Sequence, residues 1–91
     1  MEFEWDENKA SSNLTKHGIS FEEAKTVFQN DVNSITFFDP DHSFDEERYI
    51  EIGLSAKGLL LAIVYVEREG YIRIISARKA TLREIKLYDQ S

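Results

Sequence analysis

Hydrophobic and polar residues alternate in the second half of the chain with the period of a β-strand. In ERYIEIGLS, residues 47–55, apolar side chains recur at every second position. This alternation predicts a strand with one buried face. The apolar face comprises Ile50, Ile52 and Leu54, and the opposite face comprises Tyr49, Glu51 and Gly53.

Two further segments are apolar at both odd and even positions. They are LLLAIVYV, residues 59–66, and most of YIRII, residues 71–75. Strands that are covered on both sides have such compositions, so both segments are predicted to be interior strands of an antiparallel sheet. The connections SAKG and REG are short enough for hairpins. SITFFD, residues 34–39, supplies a fourth predicted strand.

The first thirty residues follow helical spacing instead. FEW, residues 3–5, is predicted to be a short extended piece, and Asp6 is a suitable N-cap for the helix after it. This helix is predicted to end at Lys16 or His17, before a glycine that can adopt the left-handed conformation. Its apolar stripe comprises Ala10, Leu14 and His17.

Two more helices are marked by capping boxes, in which a hydroxyl residue is followed by glutamate three positions later. The first box is formed by Ser20 and Glu23, before the apolar positions Phe21, Ala24, Val27 and Phe28. The second is formed by Thr81 and Glu84, with Leu82, Ile85 and Tyr88 predicted to face the sheet. The predicted fold is therefore α+β, with two N-terminal helices, a four-stranded antiparallel sheet and a C-terminal helix in a single domain, residues 1–91.

Composition excludes several classes of protein. The longest apolar run, residues 59–66, is far shorter than the ~20 residues that cross a bilayer. The N-terminal MEFEWDENKA is acidic and polar, unlike a secretory signal, and the chain has no cysteine for disulfides or thiolate zinc sites. We therefore expect a cytoplasmic protein with no membrane association.

Charge is distributed unevenly along the chain. The net charge is −6, yet residues 1–66 carry −8 and residues 67–91 carry +2. Fields are screened over ~8 Å at physiological salt, so a local basic patch can capture phosphate on an acidic protein. The C-terminal cations are Arg68, Arg73, Arg78, Lys79, Arg83 and Lys86.

Arg73 and Arg78 are candidate phosphate ligands. An odd number of positions separates them, so in a regular strand they point to opposite faces. They share a site only if the strand ends or bulges near Ser76, and we expect it to end there. Arg78 would then lie beside the amides of the helix that begins after Thr81, where phosphate binds well. The alternative is structural: Arg73 pairs with a cross-strand carboxylate such as Glu51.

Three other candidates come from single positions. His17 is a candidate proton carrier, because histidine is the commonest general acid or base, and Lys16 beside it can contact phosphate. The structural alternative is that His17, in the last turn of its helix and on the apolar stripe, only caps backbone carbonyls. Arg48 shares the parity of two apolar positions in its strand, so it must reach the rim of the sheet or find a partner, such as Glu47 or a substrate phosphate.

DPDHSFDEE, residues 39–47, contains oxygen and imidazole ligands that suit a divalent metal. A metal-dependent nuclease would use Asp39, Asp41 and Asp45. The segment lacks the spacing of any defined metal loop, and charged loops are usually only solvated. We therefore predict no metal and no cofactor. No phosphate-cradling glycine loop and no serine-hydrolase pattern occurs in the chain.

Four motifs together resemble the BrnT family, the small bacterial toxins of type II toxin–antitoxin pairs. They are W-D-x-x-K and K-H-G-I within FEWDENKASSNLTKHGISFEEA, E-R within EERYIEIGLS, and R-I-I-S-A-R within RIISARKATLREIKLY. This resemblance covers nearly the whole chain. It implies a RelE-like fold and a metal-free endoribonuclease that arrests translation. It also implies a BrnA-type antitoxin, which binds the toxin and contacts operator DNA.

The resemblance gives the cations a role. Metal-free RNA cleavage uses the neighbouring 2′-hydroxyl as nucleophile, so the protein must move protons and stabilise the phosphorane. The hypothesised catalytic residues are His17, Arg48, Arg73 and Arg78, and the hypothesised substrate-binding residues are Lys16, Lys79, Arg83 and Tyr88. The runner-up hypothesis is a noncatalytic protein-binding module. It is supported by Phe37 and Phe38, since one of two adjacent aromatic strand residues can be exposed.

Overall fold

The computed structural model describes residues 1–40 and 46–91. Its elements in chain order are β1 (Glu2–Glu4), α1 (Glu7–His17), α2 (Phe21–Asn30), β2 (Ile35–Asp39), β3 (Arg48–Leu54), β4 (Leu60–Arg68), β5 (Tyr71–Lys79) and α3 (Leu82–Gln90). The strands form one five-stranded mixed sheet in the order β1-β5-β4-β3-β2. The predicted α+β class with three helices is confirmed. None of the helices in this part of the chain is long and apolar enough to span a membrane.

The predicted sheet of four antiparallel strands is wrong in one respect. The N-terminal segment forms β1 and pairs in parallel with β5, with Glu2 opposite Tyr71 and Glu4 opposite Arg73. Three residues are too few to show a hydrophobic period. Their strand state is decided by the free edge of β5, which offers unpaired backbone donors and acceptors.

The caps that begin and end the helices follow the local sequence. The Asp6 carboxylate accepts from the Lys9 amide at 3.1 Å, and Gly18 ends α1 with φ at 72°. The complete capping box predicted at Thr81 is present. The box predicted at Ser20 is only half formed, because the Glu23 carboxylate accepts from Ser55 Oγ at 2.7 Å.

The main core lies between the sheet and the helices α1 and α2. It comprises Ile19, Phe21, Ala24, Val27, Leu61, Ile63, Tyr65, Ile72, Ile74 and Ala77. As predicted, β4 is buried on both faces: Leu61, Ala62 and Ile63 are each at most 1% exposed. The face of the sheet that packs against α1 and α2 is called the core face below. The opposite face, which carries α3, is called the α3 face.

The prediction that β3 has one buried face is wrong. Glu51 is 6% exposed under the end of α2, while Ile52 on the α3 face is 1% exposed. Side chains of α2 and of the turn after it come very close to Gly53. A Cβ there would lie 2.5 Å from Val27 Cγ1 and 2.7 Å from Ser34 Cβ. The alternation of polar and apolar residues in β3 therefore does not mark one buried and one solvent-exposed face. Both faces are buried, each against a different part of the protein.

Two predicted helix faces are also rotated. Leu82 is 78% exposed rather than directed at the sheet, and Glu84 of the same helix turns inward. Leu14 is 52% exposed, whereas its neighbour Asn13 is 7% exposed. In both helices a polar side chain with specific hydrogen-bond partners determines which face is buried, because leaving those partners unsatisfied would cost more than exposing one leucine.

Candidate functional site

Asn13 fixes α1 against the edge of β5 beyond the end of β1. Its Nδ2 donates to the Ala77 carbonyl at 2.8 Å, and its Oδ1 accepts from the Ala77 amide at 3.0 Å. The same Nδ2 donates to the Ile19 carbonyl at 2.9 Å. The side chain thus replaces a missing neighbouring strand. The sequence offered only a weak signal for this contact: Asn13 lies between the apolar positions Ala10 and Leu14 of α1.

A bulge in β5 lies two residues before Ala77. Val64 pairs with Ser76, but the next residue of β4, Tyr65, pairs with Ile74, so Ile75 is an extra residue in β5. The prediction that the strand ends near Ser76 is wrong, since β5 continues to Lys79. The alternative geometry, a bulge, is the one that the structure contains.

The bulge changes the parity of β5, because one extra residue reverses the direction of the side chains that follow it. Arg73 lies opposite Val66, and Arg78 lies opposite Ala62. Val66 and Ala62 are an even number of positions apart in β4, so they lie on the same face of the sheet. Arg73 and Arg78 therefore both lie on the α3 face.

A cleft of about 290 Å³ opens on this face. Arg48 and Arg78 line it from β3 and β5, together with Asp39, which is the register partner of Arg48 in β2. Its remaining lining residues are Ile50, Val64, Ile75 and Ser76. We call this cavity the arginine cleft. It brings together two of the four hypothesised catalytic residues.

Arg78 makes a bidentate ion pair with Glu84 of α3. Nη1 donates to Oε1 at 2.7 Å, and Nη2 donates to Oε2 at 3.0 Å. The hydrogen bond between them lowers the pKa of Glu84 and raises the pKa of Arg78. Glu84 Oε1 also accepts from the Thr81 amide at 2.8 Å. The end of α3 that was predicted to offer its amides to phosphate is thus partly occupied by this carboxylate.

Arg73 pairs with Glu4 and not with Glu51, the partner suggested by the structural alternative. Its Nη1 donates to Glu4 Oε2 at 2.8 Å across the β1–β5 pair. Glu51 lies on the core face, where it accepts from three hydroxyls: Ser34 Oγ at 2.6 Å, Thr36 Oγ1 at 2.7 Å and Tyr65 OH at 3.2 Å. Burial, followed by the charge of Glu51, raises the pKa of the Tyr65 phenol.

Arg68 is a further cation on this face, for which the sequence suggested no individual role. It lies at the end of β4, opposite Tyr71, and forms an ion pair with Glu46. The Arg68 hydrogen bond lowers the pKa of Glu46, and the charges of Arg48 and Arg73 lower it further. The sequence did indicate its direction: Arg68 and Val66 are two positions apart in β4, so their side chains point to the same face of the sheet.

His17 and Lys16 lie in a second cavity, between α1 and β5. This cavity has a volume of about 310 Å³ and is also lined by Ile75 and Ser76, which it shares with the arginine cleft. Its other lining residues are Asn8, Lys9, Ser12 and Asn13. We call it the α1 cleft. Sequence reasoning missed Lys9, although Lys9 and Lys16 are seven positions apart and therefore share a helix face.

The other three hypothesised substrate-binding residues are dispersed. Lys79 is exposed at the end of β5 opposite Leu61, on the core face. Arg83 lines a separate groove beside α3. The Tyr88 hydroxyl donates to Asp31 Oδ2 at 2.8 Å, and this hydrogen bond raises the pKa of Tyr88. Tyr88 thereby ties the end of α3 to the turn after α2.

The two aromatic residues of the edge strand β2 are both partly exposed. Phe37 is 38% exposed and lines the same groove as Arg83, with Ile50, Ile52 and Leu87. Phe38 is 50% exposed and packs edge to face on Tyr49, with ring centroids 5.8 Å apart. Exposed aromatics on an unpaired strand edge are compatible with contact to another protein chain.

Of the three aspartates considered for a metal, only Asp39 lies in the described part of the chain; Asp41 and Asp45 lie outside it. Within residues 1–40 and 46–91, no three histidine, aspartate or glutamate side chains are grouped so that they could hold a metal ion. Asp39 is buried in the arginine cleft.

Comparisons with known proteins show a matching family and a similar fold. A family model described as "Ribonuclease toxin, BrnT, of type II toxin-antitoxin system" matches residues 5–84. The crystal structure of the Brucella abortus ribonuclease toxin BrnT, at 1.1 Å resolution, is similar with a TM-score of 0.69 and 26% sequence identity. The alignment covers 89% of this chain and 97% of the Brucella chain. No curated protein matches. Because the family model spans most of its length, this chain belongs to the BrnT family of ribonuclease toxins from type II toxin–antitoxin systems.

Proposed function

We propose that this protein is a metal-independent endoribonuclease that arrests translation, with its active site at the β5 bulge. The observation that carries the proposal is the parity change at Ile75, which puts Arg73 and Arg78 on one face. The arginine cleft and the cavity of His17 are both lined by Ile75 and Ser76. Cationic donors and a titratable imidazole on adjoining surfaces are the groups that cleavage of a phosphodiester requires.

In the proposed reaction the 2′-oxygen of the RNA attacks the adjacent phosphorus, and the bond from phosphorus to the 5′-oxygen breaks. The products are a 2′,3′-cyclic phosphate and a free 5′-hydroxyl. One proton leaves the 2′-hydroxyl and one reaches the departing 5′-oxygen. We assign His17 to one of these transfers, since histidine is the side chain that most often serves as a general acid or base. Arg48 and Arg78 hold the phosphorane oxygens, and Arg73 supports phosphate binding.

The ion pair of Arg78 is compatible with this role. Glu84 and the Lys79 carbonyl together accept both N–H groups of Nη1 and one of Nη2. A guanidinium has five N–H groups, so those of Nε and the second N–H of Nη2 are available to a phosphate. Glu84 in this arrangement orients the guanidinium rather than removing it from the site.

Three cations outside the arginine cleft are also assigned to substrate. Lys16 lies in the α1 cleft beside His17, and we propose that it contacts the RNA backbone. Lys79 and Arg83 lie outside both clefts and would meet only longer RNA. We leave Tyr88 out of the proposed site, because its hydroxyl is engaged by Asp31.

The protein has a protein partner, since membership of a type II toxin family implies an antitoxin. We propose that this antitoxin is of the BrnA type, that operator DNA is contacted only through it, and that the complex is cytoplasmic. A net charge of −6 repels nucleic acid and favours a basic partner. An antitoxin of that charge would neutralise the acidic part of the surface as it blocks the toxin.

The test is RNA cleavage by Arg78→Ala and Arg78→Lys, with Lys86→Ala as a control at an exposed cation of α3. By analogy with oxyanion-hole donors, loss of Arg78 should lower the cleavage rate ~100–1,000-fold. Arg78→Lys should recover only part of this loss, because the lysine ammonium cannot make the bidentate hydrogen bonds of a guanidinium. Circular dichroism checks that each variant is folded. Full activity in a folded Arg78→Ala protein, or activity that disappears with EDTA, would contradict the proposal.

The second candidate, a noncatalytic protein-binding module, is favoured by the exposure of Phe37 and Phe38 on an edge strand. It predicts stoichiometric complex formation with the antitoxin and no RNA cleavage by the free protein. Complex formation with the antitoxin is expected of both functions, so RNA cleavage by the free protein is the property that distinguishes them.

A further inference from the structure

The α1 cleft differs in charge from the rest of the basic surface. Arg68, Arg73 and Arg78 are each within ion-pair distance of a glutamate. In the α1 cleft, by contrast, Lys9 and Lys16 have no carboxylate within ion-pair distance among residues 1–40 and 46–91. The positive charge of this cleft is therefore not neutralised within the described part of the protein.

The shape of the surface connects this charge to the proposed active site. Both clefts are lined by Ile75 and Ser76, so they adjoin at the bulge. The arginine cleft lies on the α3 face, while the α1 cleft lies at the edge of the sheet, where α1 covers β5. An RNA strand that follows both clefts must bend around the edge of β5.

We propose that the α1 cleft is a second phosphate subsite, which binds the nucleotide next to the scissile phosphate of a single-stranded RNA. Lys9 and Lys16 contact the backbone phosphate, and Ser12 and Asn8 line the same cavity with hydrogen-bonding groups. Charged grooves of this kind bind single strands by their backbone with little sequence preference. A flexible strand can follow the bend at the bulge, whereas a stiff A-form duplex cannot. The inference rests on the proposed function, because that function defines the scissile phosphate.

The position of Asn13 supports a rigid subsite. Its side chain is buried and joined to Ala77 of β5 and to Ile19, so α1 is held at a fixed distance from the bulge. Lys9 and Lys16 extend from the same helix, one turn before and one turn after Asn13. The subsite is therefore positioned by the same contacts that position the strand of Arg78.

The experiment measures binding apart from cleavage. The probe is a fluorescent 2′-O-methyl hexanucleotide, which cannot be cleaved because its 2′-oxygen carries no proton. Lys9→Ala and Lys16→Ala should each weaken binding about fivefold at 0.1 M salt, and each should reduce the slope of log K against log salt by about 0.7. Lys86→Ala, which removes the same charge from α3, should bind as the wild type does. All three lysines are exposed, so the substitutions should not affect folding.

Substrate length and form provide a second criterion. A dinucleoside monophosphate has a single phosphate, so the ratio of wild-type to Lys9→Ala affinity should be smaller on it than on the hexanucleotide. A duplex of the same sequence should bind more weakly than the single strand. Equal losses in Lys9→Ala, Lys16→Ala and Lys86→Ala, or tight binding of the duplex, would overturn the subsite.

The outcomes separate the inference from the function on which it rests. Lysine-dependent binding of the 2′-O-methyl strand without cleavage of the corresponding RNA would support the cleft as a nucleic-acid site and contradict the ribonuclease. Arg78-dependent cleavage with wild-type binding by Lys9→Ala and Lys16→Ala would support the ribonuclease and overturn the subsite. Failure of the wild type to bind the strand and to cleave the corresponding RNA would overturn both.

Discussion

Arg73 and Arg78 lie on the same face of the sheet although an odd number of positions separates them along β5. The extra residue Ile75 makes this possible by inserting one position between the two arginines. Without it, Arg78 would point to the core face, away from the arginine cleft on the α3 face. The bulge therefore determines the face on which Arg78 lies, and its extra residue Ile75 lines both clefts.

The pair between Glu4 and Arg73 gives the first prediction. Both side chains are partly exposed, so the pair should contribute little to stability, on the order of 0.2–1 kcal/mol. If Arg73 supports phosphate binding, Glu4 competes with the phosphate for its guanidinium. Glu4→Gln should then bind the 2′-O-methyl hexanucleotide up to about fivefold more tightly at 0.1 M salt.

Glu2→Gln is the matched control for this measurement. Glu2 and Glu4 lie two positions apart in β1 and so point to the same face, and both substitutions remove one negative charge. The partner of Glu2 in β5 is Tyr71, whereas the partner of Glu4 is Arg73. Equal gains in the two variants would mean that only net charge had changed, and Arg73 would then have no part in binding.

The second prediction concerns Asn13. Asn13→Ala removes three hydrogen bonds and leaves the amide and carbonyl of Ala77 without partners at a buried position. Unsatisfied buried groups cost ~1–3 kcal/mol each, so the free energy of unfolding should fall by about 2–4 kcal/mol. Urea unfolding followed by circular dichroism measures this change.

Asn8→Ala serves as the comparison, since it removes the same side chain from an exposed position of α1. Its free energy of unfolding should remain within ~0.5 kcal/mol of the wild type. A loss below about 1 kcal/mol in Asn13→Ala would mean that water replaces the side chain, and that α1 is not held to β5 by these bonds.

The third prediction follows from the low pKa of Glu84. The hydrogen bond from Arg78 is the largest cause of that shift, which brings the pKa below the ordinary value of 4.5. A carboxyl whose pKa is lower in the folded than in the unfolded state stabilises the fold fully above the ordinary value. The stabilisation is lost as the pH falls through the lowered value. The wild type should therefore lose more stability between about pH 6 and pH 3 than Glu84→Gln loses.

Arg78→Gln tests the cause of the shift. With the guanidinium removed, the pKa of Glu84 should return toward its ordinary value, and the wild-type loss of stability at low pH should be reduced as it is in Glu84→Gln. Urea unfolding at both pH values gives the comparison for all three proteins. Parallel pH profiles in the wild type and both variants would show that the ion pair does not contribute to acid sensitivity.

The sequence predicted best where the cause of a structure is local. Asp6, Gly18 and Thr81 have the predicted capping roles, because a cap depends on side-chain and backbone groups within about four residues. The two hairpin connections are also local. The turn after β4 has positive φ at Glu69 and Gly70, as a tight two-residue loop requires. Residue types therefore determined the position of each helix and of the four longer strands.

The tertiary structure decided what depends on partners distant in sequence. Residues 2–4 became a strand because β5 had a free edge, and Asn13 became buried because Ala77, 64 residues later, needed partners. The bulge at Ile75 exists only relative to the register of β4, so no period within YIRIISARK reveals it. The sequence by itself determined which cations this toxin has and in which elements they lie. The assembled sheet decided which of them share a face, because side-chain direction in a strand depends on register and not on residue type.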